Sequence, residues 1–106
     1  MKGEDIAVKY LKKKGYVIAE RNFHTRYGEI DIIARKDDVF IFIEVKRRSS
    51  ESYGSASDAV TSTKQRKIIR SAEFYCITEK IQPLCRFDVI AIDGDKLTHI
   101  ENAFQL

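Results

Sequence analysis

The stretch from Gly28 to Lys46 constrains the fold more than any other part of the chain. Glu29-Ile30-Asp31-Ile32-Ile33-Ala34 and Val39–Lys46 are rich in β-branched and aromatic residues, and Lys36-Asp37-Asp38 between them supplies turn chemistry. Two such runs so close together pair as an antiparallel hairpin. Strand side chains alternate, so Phe40, Phe42 and Glu44 share one face with Ile33 and Asp31, while Ile30, Ile32, Ile41, Ile43 and Val45 take the other. A hairpin apolar on both faces needs a layer on each side, which points to an α/β architecture with a covered sheet.

The turn length then decides where the acids fall. A two-residue turn at Asp37-Asp38, or a four-residue loop from Lys36 to Val39, sets Asp31 opposite Glu44 and Glu29 opposite Lys46. An odd loop would send Asp31 to the other face. Glu44 and Lys46 stand about 6.6–6.8 Å apart along one face of their strand. Two carboxylates with Cβ atoms about 4.5–5.5 Å apart repel, and burial adds a desolvation cost unless something compensates. A hard divalent cation such as Mg²⁺, or Mn²⁺ in its place, would turn that repulsion into binding. Lys46 could then stabilise charge on a phosphate or orient and deprotonate attacking water, which is the chemistry of phosphodiester hydrolysis. The plainer reading is a solvated, charged hairpin, and the apolar neighbours on both faces weigh against it.

Around the hairpin, Ile6, Ala7, Tyr10 and Leu11 recur at helical spacing, Lys12 to Lys14 suit the negative end of a helix dipole, and Gly15 fits its stop. Tyr16-Val17-Ile18-Ala19 reads as a short strand closed by Glu20-Arg21-Asn22, with a basic, aromatic loop over Phe23–Tyr27. Arg47–Asp58 reads as a polar loop. A capped helix begins around Ser62 and Thr63 with Ile68, Ala72, Tyr75 and Cys76 on one stripe, and Pro83 stands beyond its end near Lys80. Phe87–Ile92 forms a further strand, and Asp93-Gly94-Asp95 turns the chain into Lys96–Ile100. The order is αβββαββ, and 106 residues with 43% apolar content form one core, hence a single domain over residues 1–106.

No apolar run approaches the roughly 18 residues of a membrane span. The N-terminus lacks the layout of a secretory signal, so a cytoplasmic protein with no membrane partner is expected. Cys76 and Cys85 form no metal-knuckle spacing and read as buried thiols. His24 and His99 have no ligand or triad neighbour in sequence and are given no chemistry. Arg86 shares a strand face with Asp88, so that pair reads as structural. The net charge of +3 is too small to indicate a nucleic-acid partner. Its distribution says more, because Arg21, Arg26, Arg47, Arg48, Lys64 and Lys67 fall in segments beside the acidic hairpin. They could track a phosphate backbone, with Tyr27 and Tyr53 stacking on exposed bases.

Gly28-Glu29-Ile30-Asp31 followed by Phe42-Ile43-Glu44-Val45-Lys46-Arg47-Arg48 resembles the D…ExK signature of the PD-(D/E)XK nuclease superfamily, with Ile30 at the place of its proline. Gly3-Glu4, Gly15-Tyr16, Arg21-Asn22, Tyr53-Gly54, Arg86-Phe87-Asp88-Val89 and His99-Ile100-Glu101-Asn102-Ala103-Phe104 extend the likeness over almost the whole chain to the bacterial YraN-like family. The resemblance implies a restriction-endonuclease-like fold, a central mixed β-sheet flanked by helices, akin to archaeal Holliday-junction resolvases. It also implies roles in DNA repair or recombination. Carried over by position, Asp31 and Glu44 bind the metal, Glu4 approaches it from the first helix, Lys46 is the catalytic lysine and Gln65 assists from the second helix. Glu4 could equally serve the helix dipole, and Gln65 a structural hydrogen bond. The expected substrate is branched or flapped DNA read by shape, and symmetric cutting of a junction implies a homodimer. A non-catalytic nucleic-acid-binding module and a small interaction protein stay open as alternatives.

Overall fold

The computed structural model describes residues 2–48 and 60–105. Its elements are α1 (Lys2–Lys13), β1 (Val17–Thr25), β2 (Gly28–Lys36), β3 (Val39–Arg48), α2 (Ser62–Glu79), β4 (Leu84–Asp93) and β5 (Lys96–Phe104), in the order αβββαββ. α1 carries Glu4 and Asp5 in its first turn and Lys12 and Lys13 in its last, each charge at the favourable end of the dipole. Gly15 (φ 91°) takes the left-handed backbone that ends the element. At α2, the Thr61 hydroxyl accepts the Lys64 N–H as N-cap, and Lys80 closes the helix in the left-handed conformation.

The strands lie in the order β1-β2-β3-β4-β5. Only β3 and β4 run parallel, joined through the segment that holds α2, and the other neighbours are antiparallel. The sheet is therefore mixed. α1 covers one face, where Ala7, Val8 and Leu11 pack with Ile32, Ile41, Ile43, Ile90 and Ile92. α2 covers the other, where Ile68, Ala72 and Tyr75 pack with Ile33, Phe42, Phe87 and Val89. Both faces of the hairpin are buried, as its composition requires. Its turn is the two-residue Asp37-Asp38, since Lys36 pairs with Val39 and Ile32 with Ile43. Asp37 takes φ 55°, a conformation Asp tolerates better than most residues.

Several sequence expectations need correction. The expected loop at Phe23–Tyr27 is strand through Thr25, because β1 keeps pairing with β2 down to Thr25↔Gly28 and only Arg26-Tyr27 turn. β1 lies at the sheet edge and is exposed over Ala19-Glu20-Arg21-Asn22, so its sequence carries no clean apolar alternation and its polar half reads as loop. Ile30 packs with the α2 face beside Phe23 rather than with Ile32, and the alternation breaks beside Asn22, whose φ is 52°. Glu29 does not meet Lys46, since the β2–β3 ladder ends at Ile32↔Ile43; it lies opposite His24, 3.4 Å from its Nδ1. Cys85 is exposed and Cys76 half-buried. Arg47 extends β3 instead of opening a loop, and most of that expected loop, 49–58, lies outside the described residues. Among the described residues, no helix is long and apolar enough to cross a membrane.

Candidate metal centre

Beyond Ile32↔Ile43 the two hairpin strands part, and Asp31 fills the gap: its Oδ2 accepts the Val45 N–H at 2.7 Å in place of a main-chain carbonyl. That bond fixes the side chain. Glu44, 4% exposed, stands on β3 across the same opening. The N-terminus of α1 brings in Glu4, which is 1% exposed and has, among the described residues, no hydrogen-bond partner on either carboxylate oxygen. Lys64 reaches in from the first turn of α2. Together with Lys46 and Arg47 these side chains wall a cavity of about 570 Å³.

Burial, then the Glu44 and Glu4 charges, push the Asp31 carboxyl up to about 7, against the opposing pull of the Val45 N–H. Glu44 is held by two ammonium groups on one oxygen: Lys64 pairs with Oε2, and Lys46 lies 3.7 Å from it. Burial and the neighbouring Lys64 lower the Lys46 ammonium from its ordinary value. Burial would lower Lys64 as well, but its bond to Glu44 holds it above the usual lysine range. Among the described residues, no three acidic, histidine or cysteine side chains are posed to enclose an ion as they stand. The donor set nevertheless suits a hard cation: three carboxylates line one cavity, and the two Glu4 oxygens are buried without a partner among the described residues, a costly arrangement for a charged group.

The structure thus brings together Asp31, Glu44, Lys46 and Glu4 from the expected set. Gln65 is not on the cavity wall; its Nε2 donates to the Val60 carbonyl at 3.0 Å, a structural bond. Lys64, read from sequence as a phosphate contact, pairs directly with Glu44. Arg21 bonds Asp5 at 2.6 Å on the exposed side of α1. Tyr27 lies under two guanidinium groups, Arg26 at 5.2 Å and Arg70 at 5.3 Å from the ring centre. Arg70 was not among the expected contacts, yet its spacing of three from Lys67 and six from Lys64 places all three along one side of α2. The Arg48 side chain and Tyr53 lie outside the described residues.

Asp88 is fully buried and structural, as expected. Arg86 donates to both of its oxygens at 2.9 Å, and the Asn102 N–H, turned inward by a bulge in β5, donates at 3.0 Å. His99 is not isolated: Nε2 lies 2.7 Å from Asp88, and Nδ1 lies 3.0 Å from the Tyr10 hydroxyl. Burial would raise the Asp88 carboxyl, but His99 and Arg86 outweigh it and hold it low. Sequence spacing could not reveal this network, because Tyr10 and His99 are 89 residues apart.

Comparison with known proteins matches residues 3–92 to the model of a family described as uncharacterised protein family UPF0102. A UPF0102 protein of Syntrophomonas wolfei is 49% identical, over 96% of this chain and 93% of its own length. One from Thermodesulfovibrio yellowstonii is also 49% identical, over 96% and 91%. A UPF0102 protein of Herminiimonas arsenicoxydans is 41% identical, over 97% and 83%.

Proposed function

The chain belongs to the UPF0102 family, known also as YraN-like, and we propose that it is a metal-dependent endonuclease of the restriction-endonuclease-like, PD-(D/E)XK type that hydrolyses phosphodiester bonds in structured DNA. The observation that carries this reading is Glu4, a buried carboxylate with both oxygens unpartnered among the described residues, facing the cavity shared by Asp31 and Glu44. A buried carboxylate needs a cation, a proton or a donor, and the cavity provides room for the first. Asp31, Glu44 and Glu4 would hold Mg²⁺ or Mn²⁺. When bound, such an ion supplies Lewis acidity toward a phosphate oxygen and acidifies water for attack on phosphorus.

The chain's own groups divide the remaining work. Lys46, on the strand beside Glu44 and with its ammonium proton loosened, is suited to hold or pass a proton near the attacking water. Arg47 at the rim, with Lys67 and Arg70 along α2, would steady the phosphates on either side. Tyr27, with the Arg26 and Arg70 guanidinium groups beside its ring, would meet a base unstacked at a junction or flap. The described helices offer no obvious reader of base edges, so recognition by shape is the better fit, with branched DNA as the substrate class.

The test incubates the purified protein with branched, flapped and linear DNA in Mg²⁺ or Mn²⁺. Cleavage of a branched substrate is expected, with loss of at least about a thousandfold in Asp31→Asn, Glu44→Gln and Lys46→Met while circular dichroism stays unchanged. Undiminished cleavage in all three variants would reject the reading. Binding that survives these substitutions without any cleavage would leave a nucleic-acid-binding module.

A further inference from the structure

We propose that Lys64 is a built-in competitor for the cation, neutralising Glu44 in the cation-free protein and leaving it for a substrate phosphate when the cation enters, so that cation and phosphodiester bind with positive coupling. This rests on the metal-dependent reading above. The two lysines on Glu44 are not equivalent. Lys46 projects from β3, in the same strand as Glu44, and its side chain is 26% exposed. Lys64 comes from α2 at the cavity rim, its side chain is 41% exposed, and it makes the closer ion pair with the same oxygen. A long, unbranched side chain at the rim can swing outward without disturbing the sheet.

Lys64 therefore has two states with different partners. Inward, it occupies the Glu44 oxygen that a cation would need. Outward, it heads the row of Lys67 and Arg70, spaced three residues apart on α2 and therefore neighbours on one side of the helix. A phosphate at the cavity mouth would favour the outward state, and removal of the ammonium from Glu44 would favour the cation. Each ligand biases the same side chain, so by linkage each must tighten the other by the same factor. An ammonium about 4 Å from a divalent ion, at an effective dielectric of about 20, is repelled far too strongly to stay, so the coupling is set by the smaller cost of parting a half-exposed lysine from Glu44, about an order of magnitude in affinity.

Titration calorimetry with Mn²⁺ alone tests the competitor. Lys64→Met is expected to bind Mn²⁺ about tenfold more tightly than the parent protein, while the charge-retaining Lys64→Arg stays within about threefold. Arg66→Gln removes a charge from the same helical turn without touching the acids and is expected to leave affinity unchanged. A short phosphorothioate oligodeoxynucleotide, with its own Mn²⁺ binding subtracted, should tighten Mn²⁺ binding to the parent protein and have much less effect in Lys64→Met. If Lys64→Met misfolds by circular dichroism, Lys64→Gln carries the same expectation. Equal or weaker Mn²⁺ binding in the neutral variant, or equal tightening by Arg66→Gln, would overturn the competitor while leaving the metal site intact. A parent protein that binds no Mn²⁺ would overturn both the proposed function and this inference.

Discussion

Asp31 carries two duties on one side chain. Its Oδ2 caps the opening of the hairpin through the Val45 N–H, and its charge lies among Glu44 and Glu4. The consequence for stability has a definite sign. The carboxyl is raised from 3.8 in the unfolded chain to about 7 in the folded one, so the folded chain holds a proton that the unfolded chain has released. Its stabilising contribution is complete below about pH 4, falls as pH rises, and is lost above about pH 7. Without divalent cations, the melting temperature is expected to fall from about pH 5 to pH 8, and Asp31→Asn should remove much of that slope because the amide still accepts the Val45 bond. Parallel melting curves for both proteins would refute this. Glu4→Met should stabilise the cation-free protein by about 1–3 kcal/mol in urea denaturation while weakening Mn²⁺ binding. Marked destabilisation would instead mean that Glu4 has a structural partner.

At the scale of elements, the hairpin was the most legible part of the sequence because its register follows from local rules. Once Asp37-Asp38 forms the turn, Asp31 and Glu44 must reach the same end of the strands. What could not be read were features set by non-local partners. β1 runs through Thr25 because β2 offers it backbone groups, whatever its own polar composition suggests. Lys64 enters the acid cluster because α2 packs across the sheet, a placement that helical periodicity does not give. The His99 network needs α1, β4 and β5 to meet. That network ties the far half of α1 to the sheet, and Asp88→Ala would leave Arg86 without its main partner. A loss of about 3 kcal/mol in urea denaturation is expected, with Mn²⁺ affinity unchanged because the cavity wall is not touched. A loss below about 0.5 kcal/mol would show that the network adds little.

At the scale of the whole molecule, the acids sit where the N-termini of α1 and α2 approach the splayed ends of β2 and β3, and basic side chains continue from that point along α2 toward the β1–β2 turn. Nucleic-acid affinity should therefore fall steeply with salt, and Lys67→Gln and Arg70→Gln should each reduce the slope of log K against log salt by about one. An unchanged slope in both would move the phosphate path elsewhere. Junction resolution further requires two such sites in a symmetric pair. Sedimentation on branched DNA is expected to show two copies per junction, whereas one copy would restrict the activity to nicking.

The hydrogen bond from Val45 to Asp31 also gives the protein a spectroscopic reporter of its own. An amide proton held by a carboxylate resonates at a position set by that carboxylate's charge, so the Val45 signal should follow the proton on Asp31 and the arrival of an ion beside it. One backbone resonance would then record the chemical state of the site in the unmodified chain.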